Sequence, residues 1–152
     1  MALRMKCHIG IDADSGLVHT VVGTAANVSD VTQAHALVHG EEADVFADAG
    51  YQGVEKRDDT QDIHTRSHIA FRPGLRRLLD MTDPKDAIAD QMEHVKARIR
   101  AKVEHPFRVI KRQFGHVKVN YRGLAKNTAQ LHTLFALSNL WMARRQLLAA
   151  QG

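Results

Sequence analysis

Arg100-Ala101-Lys102-Val103-Glu104-His105-Pro106-Phe107-Arg108-Val109-Ile110-Lys111-Arg112-Gln113-Phe114-Gly115 carries two patterns at once. Its apolar residues continue a series that begins upstream, Ile88, Met92, Val95, Ile99, Val103, Phe107, Ile110 and Phe114, at spacings of three or four. That periodicity predicts a long amphipathic helix from Pro84. Pro106 cannot donate to the carbonyl one turn back and is expected to kink or restart the helix, and Gly115 is its natural stop. On the other side, Arg100, Glu104, Arg108 and Lys111 fall at i, i+4, i+8 and i+11 and share one face. Glu104 and Lys111 lie roughly 10 Å apart along the axis, so the acid could hold a metal while the lysine meets a nearby phosphate. The same pattern also describes a solvated helix with ordinary intrahelical ion pairs.

Downstream, Lys118, Tyr121, Arg122 and Lys126 mix bases with an aromatic. The mixture suits phosphate contact and stacking, and equally an ordinary basic loop. A second helix is predicted over residues 127–148, where Leu131, Leu134, Phe135, Leu137, Leu140, Trp141 and Met142 form a wide apolar face expected to cover a sheet.

Upstream the period changes to that of strands. Residues 6–12 and 17–22, separated by Ala13-Asp14-Ser15-Gly16, predict a β-hairpin. Asp12 and Asp14 belong to its tip, where turn residues are expected. Ser29 and Asp30 are placed to cap a short helix through Val38, with Gly40 to end it. Asp44-Val45-Phe46-Ala47 reads as a brief strand, residues 58–66 as a loop, and His68-Ile69-Ala70-Phe71 as one more strand before Pro73-Gly74 breaks it. Asp48 emerges at a strand end just before Ala49-Gly50-Tyr51. Such an Asp is often a turn residue bonded to its own backbone, but a strand-end and a helix carboxylate together can also ligate a hard divalent cation.

The net charge of +4 hides an asymmetry. Residues 1–90 hold nine Lys and Arg against fifteen Asp and Glu, whereas residues 91–152 hold twelve against two. Such a polycation attracts phosphate backbones, which makes nucleic acid the leading class of partner, with a solvated basic surface as the alternative. At 152 residues the chain is expected to form a single domain. Neither a membrane span nor a secretory leader is legible, so a cytoplasmic protein is expected. The lone Cys7 excludes an internal disulfide and is expected to serve packing, and the ten histidines are scattered without zinc-like spacing.

Several of these stretches resemble DDE transposases of the insertion-sequence-five family: residues 5–12, residues 46–53, residues 100–115, residues 121–127 and residues 134–140. The resemblance runs from Met5 to about Leu148 and is least close over residues 58–68. It implies an α/β, ribonuclease H-like mixed sheet covered by helices, in which catalytic carboxylates bind two Mg²⁺ (or Mn²⁺) ions. It also implies a DNA partner, both transposon ends and target, for a protein associated with the nucleoid when bound. By the same resemblance Asp48 is the second catalytic carboxylate. Arg100, Glu104 and Lys111 match the family's Arg, Glu and Lys signature, which makes Glu104 the third. Arg100, Arg108, Lys111, Arg112, Lys118, Tyr121, Arg122 and Lys126 are the expected DNA contacts.

Two positions depart from the family pattern. Ala97 stands where a Tyr usually precedes the Arg by three residues. The family's first catalytic Asp, on the first strand of the fold, lies upstream of the segment that begins here at Met5. The resemblance therefore implies one partial catalytic domain over residues 1–152, an incomplete sheet, weak or absent metal binding, and inactivity of the chain by itself. Its expected partners include a second copy, a separate upstream product, or an intact transposase. The alternative is a non-catalytic DNA-binding remnant or an inhibitor of intact transposase.

Overall fold

A computed structural model describes residues 4–60 and 65–151. The chain divides into two compact units, Met1–Val28 with Lys102–Gly152, and Ser29–Ala101. Both mix α and β structure, and among the described residues no helix is long and apolar enough to cross a membrane.

In the first unit β1 (Met5–Ile11) and β2 (Val18–Ala25) form the expected antiparallel hairpin, from Met5 opposite Ala25 to Ile11 opposite Val18. Asp12 closes its tip. The Oδ1 atom of Asp12 accepts from the N–H groups of Ser15 (2.6 Å) and Asp14 (3.1 Å) and from the Ser15 hydroxyl (2.7 Å). Those Ser15 donors hold the Asp12 carboxyl below its usual range. Asp12 is thus committed to the turn, as its position in the sequence predicts.

Alternation along β1 turns Met5, Cys7, Ile9 and Ile11 to one face, and these pack with Val21 against the core formed by Val18, Ile110, Leu131 and Phe135. The core's helical side comes from α4 (Glu104–Arg112) and α5 (Leu124–Ala149). Phe107 of α4 meets Phe135 of α5 edge to face at 5.3 Å. A Cβ on Gly23 would clash with the Thr128 hydroxyl, so the contact of β2 with α5 depends on glycine there. Asn139 of α5 further ties the hairpin down, accepting from the Val18 N–H at 2.9 Å and donating to the Val18 carbonyl at 2.7 Å. Burial pushes the Cys7 thiol up to about 11, which keeps it protonated and unreactive within the packing.

In the second unit, residues 30–37 form a 3-10 turn, Asp30–Gln33, followed by the single-turn α1 (Ala34–Leu37), where one helix through Val38 was expected. Ser29 makes no side-chain cap bond, and the adjacent β-branched Val31 and Thr32 favour a helix weakly. The strands β3 (Asp44–Ala47) and β4 (Arg66–Ile69) pair in parallel, β4 lying two residues earlier than its sequence pattern indicates. Of the loop expected over residues 58–66, Asp58–Thr60 form a 3-10 turn and residues 61–64 lie outside the described residues. Pro73-Gly74, expected only to break the chain, opens the one-turn α2 (Pro73–Arg76), since proline at a first helical position lacks only a donor that would go unused.

The long helix predicted from Pro84 is two helices. The first, α3 (Pro84–Arg100), is capped by Asp83, whose carboxylate accepts from the Lys85 N–H at 2.8 Å. A 3-10 turn, Ala101–Val103, follows it, and α4 then begins at Glu104. The restart therefore precedes Pro106, which occupies the third position of α4 and is buried. No intrahelical bond is lost there, because the first four N–H groups of a helix have no intrahelical acceptor.

The apolar stripe expected on α3 does not face inward. Ile88 is 61% exposed and Met92 and Val95 are each 46% exposed, whereas Glu93 is 4% exposed. The Glu93 carboxylate accepts from the Phe71 N–H at 3.0 Å and from Lys96 Nζ at 2.7 Å. Lys96 also donates to the Ile69 carbonyl at 3.0 Å and lies 5.0 Å from the centre of the Phe71 ring. A satisfied polar network thus replaces the apolar seam between α3 and the end of β4. Finally, where one mixed sheet was expected, the described residues form two sheets of two strands each.

Candidate active-site and DNA-contact residues

Asp48 belongs to the second unit. The chain leaves β3 at Ala47 and turns through Asp48, which caps the 3-10 turn Ala49–Tyr51 and is exposed. Its Oδ1 accepts from the Gly50 N–H at 2.9 Å. The turn role and the strand-end position anticipated for Asp48 coexist, because one carboxylate oxygen bonded to a backbone N–H still leaves lone pairs for a cation.

A second carboxylate stands beside it. A Cβ built on Gly50 would lie 2.8 Å from Asp30 Oδ2 and 3.1 Å from Asp48 Oδ1, so both acids flank the same glycine. The Tyr51 phenol registers this surrounding: burial, followed by the Asp30 and Asp48 carboxylates, pushes it up to about 12. Sequence reasoning assigned Asp30 only to a helix cap. The small residue following Asp48-Ala49 is the one local hint that another chain segment comes close.

Glu104 belongs to the first unit, as the first residue of α4, and is exposed. A carboxylate there is favoured by the partial positive charge at the helix start. Pro106 and Ile110 are buried and Phe107 packs on Phe135, which fixes the inward face of α4. Glu104, Arg108 and Lys111, at i, i+4 and i+7, consequently share an outward face, and all three are exposed. Arg100, expected on that face, ends the separate helix α3 in the second unit. Its Nε is buried without a hydrogen-bond partner among the described residues.

The other expected DNA contacts, Arg112, Lys118, Tyr121, Arg122 and Lys126, are exposed in the first unit, with Tyr121 at 51%. Arg144 and Arg145 extend this basic complement along α5, Arg144 lying 4.2 Å from the centre of the Trp141 ring. Sequence reasoning omitted both, since they fall past the last motif. His116, just beyond α4, has its imidazole held below the usual range by burial. Among the described residues, neither unit gathers three His, Cys, Asp or Glu side chains able to hold a metal ion.

A family model described as a transposase DDE domain matches residues 4–140. No solved structure matches the chain. Members of that family generally act on DNA with divalent metal ions. The match spans most of the sequence and includes the strand end at Asp48, the helix start at Glu104 and the basic loop ahead of α5, and the chain belongs to the transposase DDE domain family.

Proposed function

We propose that residues 1–152 are one partial catalytic domain of a transposase of the insertion-sequence-five type, built on a ribonuclease H-like plan. Asp48 and Glu104 are its metal-ligating carboxylates. The reading is carried by the exposure of both carboxylates at element ends, Asp48 at a strand terminus and Glu104 at a helix start. Their oxygen donors suit Mg²⁺ or Mn²⁺, hard cations that take carboxylate ligands. When bound, two such ions supply Lewis-acid polarisation and lower the pKa of the attacking water. Arg108, Lys111, Arg112, Lys118, Arg122 and Lys126 supply positive charge to DNA phosphates at the transposon ends and target, and Arg100 acts with them. Tyr121 offers a ring for stacking.

A third carboxylate is needed for a tight two-ion site. Asp12 is not assigned that role: it sits at a hairpin tip, where its Oδ1 accepts three hydrogen bonds from Ser15 and Asp14 as a turn residue. The 152 residues by themselves are accordingly expected to bind metal weakly and to be inactive. A separate upstream fragment, or an intact transposase pairing with this chain, would complete the site, and a homodimer is the further assembly this reading includes.

The test is DNA nicking in Mg²⁺ or Mn²⁺ with an upstream fragment added. Activity is expected in the mixture and lost in Asp48→Asn and Glu104→Gln. A mixture in which those variants cut as well as the unaltered chain sinks the assignment. The second reading, a DNA-binding remnant or an inhibitor of intact transposase, is favoured by the exposed bases of the first unit. It expects salt-sensitive binding to DNA that survives Asp48→Asn.

A further inference from the structure

Asn127, one turn into α5, is 1% exposed, and its amide is spent on a neighbouring loop. Its Oδ1 accepts from the Tyr121 N–H at 3.1 Å, and its Nδ2 donates to the carbonyls of Tyr121 and Gly123, both at 2.7 Å. These three bonds fix the backbone at both ends of the segment Tyr121-Arg122-Gly123. Gly123 completes the fold of the segment at φ 90, a left-handed conformation that favours glycine. No side-chain cap bond is made at this helix start, so the clamp comes from inside the helix.

What the clamp fixes is backbone alone. Tyr121 is 51% exposed, and Arg122 and Lys126 are exposed as well. An aromatic ring and two cations thus project to solvent from a frame held by a buried amide. Segments between elements are ordinarily the mobile part of a fold, and ordering one on binding weakens affinity.

We propose that Asn127 is a positioning residue for DNA contact: it holds Tyr121–Gly123 in place before DNA arrives, so that Arg122 meets a backbone phosphate without first being ordered. The inference rests on the DNA-binding reading above and adds to it which residue sets the geometry. Tyr121, Arg122 and Lys126 touch DNA, and Asn127 acts only through them.

The experiment measures binding of the full chain to a short DNA duplex across a salt series, for the unaltered protein, Arg122→Ala, Asn127→Ala and the double variant. Asn127→Ala is expected to bind on the order of tenfold more weakly, because ordering the freed loop then costs more than the Arg122 contact returns and that contact is not made. Its dependence of log affinity on log salt should also be shallower by about one, the signature of a lost phosphate contact. Arg122→Ala should weaken the unaltered protein and change little in the Asn127→Ala background, a coupling that a loss of stability alone does not produce.

Equal Arg122→Ala effects in both backgrounds, or an Asn127→Ala variant that binds like the unaltered chain, overturn the inference while leaving the DNA reading intact. An unaltered chain that ignores the duplex at low salt overturns that reading and this inference with it. Should Asn127→Ala fail to fold, amide exchange at Tyr121 decides. Protection already present in the free protein and unchanged by DNA supports the clamp, and protection that appears only with DNA refutes it.

Discussion

The first unit centres on an apolar core, to which hydrogen bonds such as His8 to Thr24 and Asn139 to Val18 are added, whereas directed polar contacts are the larger part of what holds the second. Val18, Ile110, Leu131 and Phe135 form the centre of the first, ringed by the inward faces of β1, β2 and α4. In the second, Val54 and Ala70 are the buried apolar side chains among the described residues, and Glu93 and Thr60 are buried beside them. Asp44 bridges the four-residue parallel strands β3 and β4, accepting from Arg66 at 2.9 Å and His68 at 2.8 Å. Arg76 bonds Asp90 at 2.7 Å. Apolar burial is nondirectional and indifferent to ionisation, whereas a hydrogen-bonded ion pair holds one geometry and fails when either partner changes its charge. The surfaces differ too: the first unit has eleven Lys and Arg against three Asp and Glu, and the second has ten against fourteen. DNA contact is therefore a property expected of the first unit and pH sensitivity of the second.

The sharpest way to break this contrast is to empty the apolar centre. Phe135→Ala removes a ring that is 1% exposed and is expected to cost about 3–5 kcal/mol. Denaturant unfolding followed by the fluorescence of Trp141, which lies on α5, should move to much lower denaturant. A midpoint within error of the unaltered protein would mean that the first unit does not depend on that packing.

Next in size is Glu93→Ala, which leaves Lys96 without its carboxylate and is expected to cost roughly 3 kcal/mol. Glu93 also gives the contrast its pH dependence. Burial pushes its carboxyl up, but the hydrogen bond from Lys96 and the Phe71 N–H outweigh that and hold it below the usual glutamate value of 4.5. A depressed folded value means that the stabilisation is fully present above pH 4.5 and lost as pH falls through the lower folded value. Amide exchange in β4 and α3 should accelerate in that acid range, and Glu93→Gln should flatten the acceleration. The same acid response in both proteins would remove Glu93 as its cause.

The smallest effect is expected from Asp44→Asn. The ion pairs it breaks are exposed to solvent and screened by salt. Exchange protection at the β3–β4 pair should fall slightly at low ionic strength, and the difference should vanish at high salt. A large loss that persists in salt would show that the surface pairs, more than the Glu93 network, hold the second unit.

Local pattern was enough wherever one segment satisfies itself. The hairpin and its Asp12 tip and the strand before Asp48 follow from alternation and turn chemistry, and Leu131, Leu134 and Phe135 on the inner side of α5 follow from helical period, whereas Leu137, Leu140 and Trp141 of the same expected face are exposed. For that reason Asp48 at a strand end and Glu104 on a helix were legible as candidate carboxylates. The inward face of α3 was not. Its apolar stripe has the right period, yet the choice between Ile88, Met92 and Val95 on one side and Glu93 on the other depends on the N–H of Phe71, more than twenty residues away. The break between α3 and α4 likewise precedes the proline that appeared to cause it.

By itself, then, the sequence determined the hairpin, the strand before Asp48, the second long helix, the basic character of the last third and the broad transposase family, because each is written in residue type and short-range spacing. Only the tertiary structure decided that Asp30 flanks Gly50 beside Asp48, that Glu93 is buried with Lys96, and that Asn127 clamps the Tyr121 loop. The first two of these depend on which backbone groups lie beside a side chain once distant segments have packed. The third depends on a buried amide finding its partners across a turn, and a hydrogen bond at a fixed distance and angle is set by the folded geometry, not by spacing along the chain.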